Sequence, residues 1–231
     1  MEEAQIIKKL SPWYHNFSVL GIETTLGEMR EKCSTNQRDK EPDITKMYKY
    51  LKENEINISN VLDLFASDGF YAFLLNSLIP NQIKYSLSID NDNNFPYQDQ
   101  FDYVKNRLGT NNLFFNRCEI LQYLNDTQDV FDVCLCFGGL YHMDNPFMLL
   151  KKLLSKSRII LIQTVISLED HKRFFISPAP GWTWGCRFNE NEFRYWCEEL
   201  GVDIIWSNVT ELRANVGVHN RGSMCAILKK K

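Results

Sequence analysis

The chain has 231 residues, a formal net charge of -3 and 24% charged residues, with 44% hydrophobic residues. This suits one α/β domain around a single core and disfavours a surface built to track a polyanion, so nucleic acid is an unlikely partner. No apolar run is long enough to cross a bilayer, the opening M-E-E-A-Q-I-I-K-K-L lacks a signal-peptide core, and the odd number of cysteines with no C-x-x-C pair points to reduced thiols in a cytoplasmic protein with no metal site. Aromatic residues reach 13%, more than a core of this size needs, so some are expected to line a pocket.

In chain order, residues 2–10 read as a short helix with Ile6, Ile7 and Leu10 on one face. A turn follows at Ser11-Pro12-Trp13-Tyr14-His15-Asn16. Residues 17–25 read as a strand or extended segment, 26–42 as a polar loop with a helical turn, and 43–54 as a helix with Asp43 at its N-cap. This N-terminal cap, 1–56, precedes a single compact domain at 57–231. There, strands at 60–66, 84–90, 112–118, 131–137 and 157–165 alternate with helices at 69–79, 99–108, 120–124 and 145–155. Residues 166–188, which contain Pro178, Pro180, Trp182 and Trp184, break the alternation and read as a lid loop. A helix at 189–200 is capped by Asn189, and strands at 202–209 and 222–229 form a terminal hairpin. The expected fold is α/β: a doubly wound, mostly parallel, seven-stranded Rossmann-like sheet with one antiparallel edge strand.

The chemistry concentrates where such strands end. The first strand, V-L-D-L-F-A, runs through Ser67-Asp68-Gly69 straight into an apolar helix, the way doubly wound folds build a nucleotide site. G-x-G-x-x-G is absent, which argues against a pyrophosphate and suits a phosphate-free ligand such as S-adenosylmethionine. Asp63 is placed to position the turn, while Ser67 and Gly69 face the amino-acid end. Asp90 ends the second strand about twenty residues past Gly69, where an acid reaches ribose hydroxyls. After the fourth strand, Gly138-Gly139 allows close approach of a ligand, and His142 sits at the reactive edge of the sheet.

These segments, V-L-D-L-F-A-S-D-G-F-Y, S-I-D and F-D-V-C-L-C-F-G-G-L-Y-H-M-D-N-P, resemble the ordered motifs of class I S-adenosylmethionine-dependent methyltransferases. The likeness is to a branch that includes the tRNA wobble-uridine 5-oxyacetic acid synthase and small-molecule and sugar methyltransferases. The resemblance implies S-adenosyl-L-methionine as cofactor. Asp63, Phe65, Ala66, Ser67 and Gly69 would lie on its methionine side, and Asp90 and Asn91 at its ribose. Cys118, Glu119 and Ile120 would flank the adenine, and Phe137, Gly138 and Leu140 would pass under the sulfonium. The sequence departs from that pattern at Ala66-Ser67 and at Gln163, where the branch often carries a carboxylate.

The expected reaction is direct displacement, O-directed, onto a small molecule or sugar, with His142 as base. Tyr14, His15, Gln163, Trp182, Trp184 and Arg187 are the expected acceptor contacts. Two alternatives stay open. One is a tRNA wobble-uridine modifier using a carboxylated cofactor, for which no cation near the sulfonium is evident. The other is a catalytically silent scaffold subunit.

Overall fold

The computed structural model describes residues 2–30, 33–169, 172–177, 185–212 and 220–231. The elements are α1 (Glu3–Lys9), α2 (Cys33–Glu53), β1 (Asn60–Leu64), α3 (Phe70–Leu78), β2 (Tyr85–Asp90), α4 (Tyr97–Leu108), β3 (Leu113–Arg117) and α5 (Ile120–Asp126). They continue with β4 (Phe131–Phe137), α6 (Pro146–Lys156), β5 (Ser157–Ser167), β6 (Phe175–Ile176), β7 (Arg187–Phe188), α7 (Glu190–Glu199), β8 (Val202–Glu211) and β9 (Arg221–Lys230).

The main sheet has seven strands in the order β3-β2-β1-β4-β5-β9-β8. β1 to β5 pair in parallel. Of the terminal hairpin, β9 is the antiparallel member; it slots between β5 and β8 and pairs antiparallel with both. β6 and β7 form a separate two-stranded ribbon.

β1, β4 and β5, at the centre of the sheet, read as largely apolar runs because both of their faces are covered. Val61, Val133, Leu135, Ile159 and Leu161 point into one apolar cluster, with Met47 and Leu51 of α2, Phe70 of α3 and Phe101 of α4. Leu62, Leu64, Cys134, Cys136, Ile160 and Ile162 point into the other, with Leu124 of α5, Leu150 of α6 and Trp196 of α7. The two-residue period of the strands thus sorts each run between two layers of helices. Ile7, Trp13 and Phe17 of the N-terminal segment join the first cluster.

Two expectations for that segment are corrected. Residues 17–25 are not a strand but two short 3-10 turns, Ser18–Leu20 and Thr24–Leu26. Thr24 Oγ1 accepts from Phe17 N–H at 3.0 Å and donates to the His15 carbonyl at 3.1 Å, so a side chain satisfies backbone groups that a ladder would otherwise pair. Residues 26–42 hold more than a loop with one helical turn: α2 starts at Cys33 and runs through Pro42. Asp43 is therefore inside a helix rather than capping it. It is buried and pairs with Lys46 Nζ at 2.9 Å and Asn208 Nδ2 at 2.8 Å. The first half of α2 is polar because it faces a cavity rather than the core, which hides its helical period from an apolar-pattern reading.

Candidate functional site

The turn after β1 takes a shape that side chains rarely adopt. Phe65, Ser67 and Gly69 all have left-handed backbone, with φ of 58°, 52° and 79°. Only one of the three is glycine, so the conformation is held from outside. The Ala66 N–H donates to the Ile89 carbonyl at 3.1 Å, and the Ser67 N–H donates to Asp90 Oδ2 at 2.9 Å. The Phe65 ring occupies the space a Cβ on Gly139 would need, reaching to 1.9 Å of that position. The β1 turn and the β4 edge are thus fitted to each other through a missing side chain.

Asp90 closes its own turn, with Oδ1 accepting the Asp92 N–H at 2.9 Å. Burial raises its pKa, and the backbone N–H groups of Asp92 and Ser67 act against that. Asp63 lies one layer deeper and accepts from Ser88 Oγ at 3.2 Å. Burial pushes its carboxyl up to about 8, with the Ser88 bond opposing.

The N-terminal segment is pinned over this turn. Asp68, fully buried, accepts the backbone N–H groups of Tyr14 and His15 at 3.1 and 2.8 Å and contacts His15 Nδ1 at 2.5 Å. The His15 ring stacks on Phe70 with centroids 5.0 Å apart. Arg30 follows, its guanidinium 3.9 Å from the Phe95 ring and 4.9 Å from Tyr14, donating to Tyr97 Oη at 2.6 Å.

Together these elements enclose a cavity of about 510 Å³ at the carboxyl edge of the sheet. Of the residues singled out from sequence, Tyr14, His15, Phe65, Ser67, Asp90, Asn91, Glu119, Ile120, Phe137, Gly138, His142 and Gln163 line it. Asn91 Nδ2 donates to Glu119 Oε1 at 2.7 Å, joining the loops after β2 and β3. His142 sits on a 3-10 turn, Leu140–His142, its ring beside that of Tyr141.

Asp63, Ala66, Gly69, Cys118 and Leu140 are not in the lining; Asp63, Ala66 and Leu140 are buried behind it. Arg187, expected as an acceptor contact, is also outside the lining and pairs with Glu169 and Ser167. Trp182 and Trp184 lie outside the described residues. Among the described residues, no group of three or more His, Cys, Asp or Glu side chains is placed to hold a metal ion.

Sequence reasoning missed Arg30, Lys40, Tyr71, Tyr97, Tyr141 and Arg221, all of which line the cavity. One signal was present. Asn36, Gln37 and Lys40 recur at helical spacing and share the cavity face of α2. The others are gathered by tertiary folding from separate segments.

The fold is that of the S-adenosylmethionine-dependent methyltransferases. The solved N-terminal domain of EvdMO1 with S-adenosylhomocysteine (SAH) bound superposes with a TM-score of 0.72 at 15% identity, covering 100% of this chain and 98% of that one. The same domain, solved in the presence of SAH and D-fucose, gives 0.69 at 15% identity, covering 99% and 95%. A SAM-dependent methyltransferase from Thiobacillus denitrificans in complex with S-adenosyl-L-homocysteine gives 0.60 at 14% identity, covering 82% and 91%. In sequence, the chain is 26% identical over 126 residues to the tRNA U34 carboxymethyltransferase of Sulfurimonas denitrificans. That match covers 53% of this chain and only 40% of that relative. No family model matches the chain.

Proposed function

We propose that this protein is an S-adenosylmethionine-dependent methyltransferase that methylates a hydroxyl of a small or sugar-like acceptor. The observation that carries the reading is the cavity itself. Its strand-end carboxylate Asp90 and the fitted Phe65–Ser67 turn lie in one lining with Glu119, Gly138 and His142.

The lining suits the cofactor. Asp90 and Asn91 offer polar partners to ribose hydroxyls, Glu119 and Ile120 flank the base, and Phe65, Ser67, Phe137 and Gly138 approach the methionine end. The acids Asp90, Asp92 and Glu119 favour a cationic ligand. When bound, the cofactor supplies a methyl group on a sulfonium, which passes to the acceptor oxygen while the bonding pair stays on sulfur. The protein orients the acceptor, keeps water out and takes up its proton. We assign the proton to His142. Tyr14 and His15 cover the mouth, held there by Asp68. The size of the cavity supports a compact acceptor, and the EvdMO1 domain solved with SAH and D-fucose supports a sugar-like one.

A second reading, transfer of a carboxymethyl group to a tRNA wobble uridine, gains support from the Sulfurimonas relative and from cations absent in the sequence reading. Arg30, Lys40 and Arg221 all line the cavity. Calorimetry separates the two. The first reading expects S-adenosylmethionine and SAH to bind. Preference for carboxy-S-adenosylmethionine by tenfold or more, on the order of 1.4 kcal/mol, favours the second. No binding of any of the three removes both and leaves a scaffold.

A further inference from the structure

We propose that the acceptor is an anionic hydroxyl compound, whose carboxylate or phosphate is seated by Arg221 and Lys40 and which donates to Gln163 Oε1 from a hydroxyl other than the one that is methylated. The proposal rests on the methyltransferase reading and names the substrate class of that same cavity.

Gln163 lies near the middle of β5 and is fully buried. Its carbonyl accepts the Gly138 N–H at 2.8 Å, and its Nε2 donates to Ser223 Oγ at 2.9 Å on β9. Among the described residues its Oε1 has no hydrogen-bond partner, although it is buried and its residue lines the cavity. A Cβ built on Gly138 would lie 4.0 Å from that oxygen, so it looks toward the glycine edge. An amide oxygen accepts and cannot take a proton near neutral pH. The group that satisfies it must be a donor, and a ligand hydroxyl is one.

The charges of the lining are sorted by strand. The carboxylates Asp90, Asp92 and Glu119 come from the ends of β2 and β3. Gln163 and Arg221 stand on β5 and β9, on the opposite side of β1 and β4 in the sheet. Arg221 is the first residue of β9, two positions before Ser223, and pairs in register with Ser167. Burial and the Arg187 guanidinium pull its pKa down, as expected of a guanidinium partly removed from water. Lys40 reaches the same side from α2. Burial pushes the Cys225 thiol up to about 12, and Lys40 is among the charges acting against it. Cys225 is the β9 partner of Gln163. The remaining Lys or Arg of the lining among the described residues, Arg30, is stacked on Phe95 at the acidic side. A cationic cofactor at the acidic end and an anionic acceptor at the basic end match this division.

The test is calorimetry on the full chain saturated with SAH, using matched probes. These are the three hydroxybenzoates against hydroxybenzamides and benzoate, and D-galacturonate against D-galactose. A hydroxy acid in at least one set is expected to bind about tenfold tighter than its uncharged counterpart. The Arg221→Gln and Lys40→Gln variants lose that preference, while Arg221→Lys keeps it. Gln163→Met weakens the hydroxy acid but not the hydroxyl-free acid. Unchanged SAH affinity in each variant is the control for folding. SAH binding with no preference for any acid, or a preference that survives both Gln substitutions, overturns the proposal. Absence of SAH binding overturns the methyltransferase reading instead.

Discussion

His142, Asp63 and Ser67 each carry a separate, measurable consequence. With His142 as the proton acceptor, His142→Ala should lower turnover by roughly 10²–10⁴-fold, the usual contribution of a positioned base. SAH affinity should stay within about threefold, because the imidazole belongs to the acceptor side. Unchanged turnover would remove His142 from the chemistry. Asp63 makes stability depend on pH. Its carboxyl titrates near 8 in the folded chain against 3.8 ordinarily, with burial as the main cause. Between those values the unfolded chain has lost a proton that the folded chain keeps. Its contribution to stability is therefore present at low pH and lost as pH rises toward 8, by on the order of 1 kcal/mol per pH unit. Asp63→Asn should flatten that part of the profile, seen as a gain in denaturant midpoint relative to wild type that grows from pH 5 to pH 8. A parallel shift at all pH values would contradict it. Ser67 sits at φ 52° with a Cβ. Ser67→Gly should stabilise the fold by roughly 1 kcal/mol, because glycine adopts this backbone without strain, while the backbone bond to Asp90 remains.

Elements differ in how far sequence pattern reveals them. β1, β4 and β5 are buried on both faces, so their apolar runs announce them; the helices between them follow from apolar periodicity, and α7 from its cap Asn189. The start of α2 gives no such signal, because its inward face carries Asn36, Gln37 and Lys40 toward a cavity. The stretch 17–25 has strand-like composition, yet Thr24 and Gly21 fold it into turns. The segment entering β7 bears on the site through one close contact. Cys186 N–H donates to the Tyr141 carbonyl at 2.8 Å, and a Cβ on Gly185 would lie 2.2 Å from that same oxygen, at φ 122°. Gly185→Ala should push the Tyr141-His142 turn away and reduce turnover by tenfold or more, since small misplacements of reacting groups are costly. Its SAH affinity should remain near wild type, and equal loss of both would point to general destabilisation.

For the whole molecule, the sheet order spreads the lining along the carboxyl edge: Asp90, Asp92 and Glu119 at the β2 and β3 ends, Gln163 and Arg221 on β5 and β9. A ligand that bridges this edge ties both helical layers and the N-terminal segment to one cavity. On the methyltransferase reading, SAH at about a hundred times its Kd should stabilise the fold by roughly 2.7 kcal/mol, raising Tm by several degrees for a chain of this size. No shift at saturating SAH would argue against a preformed site. The α/β class, the strand-end positions of Asp90 and Gly138, His142 just beyond, and the turn at Ser67-Asp68-Gly69 are all legible in the chain, because buried strands and sharp turns demand particular residues in sequence-local order; that the turn begins two residues earlier, at Phe65, shows only in the structure. The cations Arg30 and Arg221, the aromatic rings Tyr71 and Tyr97, the exclusion of Arg187 and the insertion of β9 between β5 and β8 became visible only in three dimensions. Those residues lie far apart in the chain, and polar side chains facing a cavity leave no apolar period to betray them.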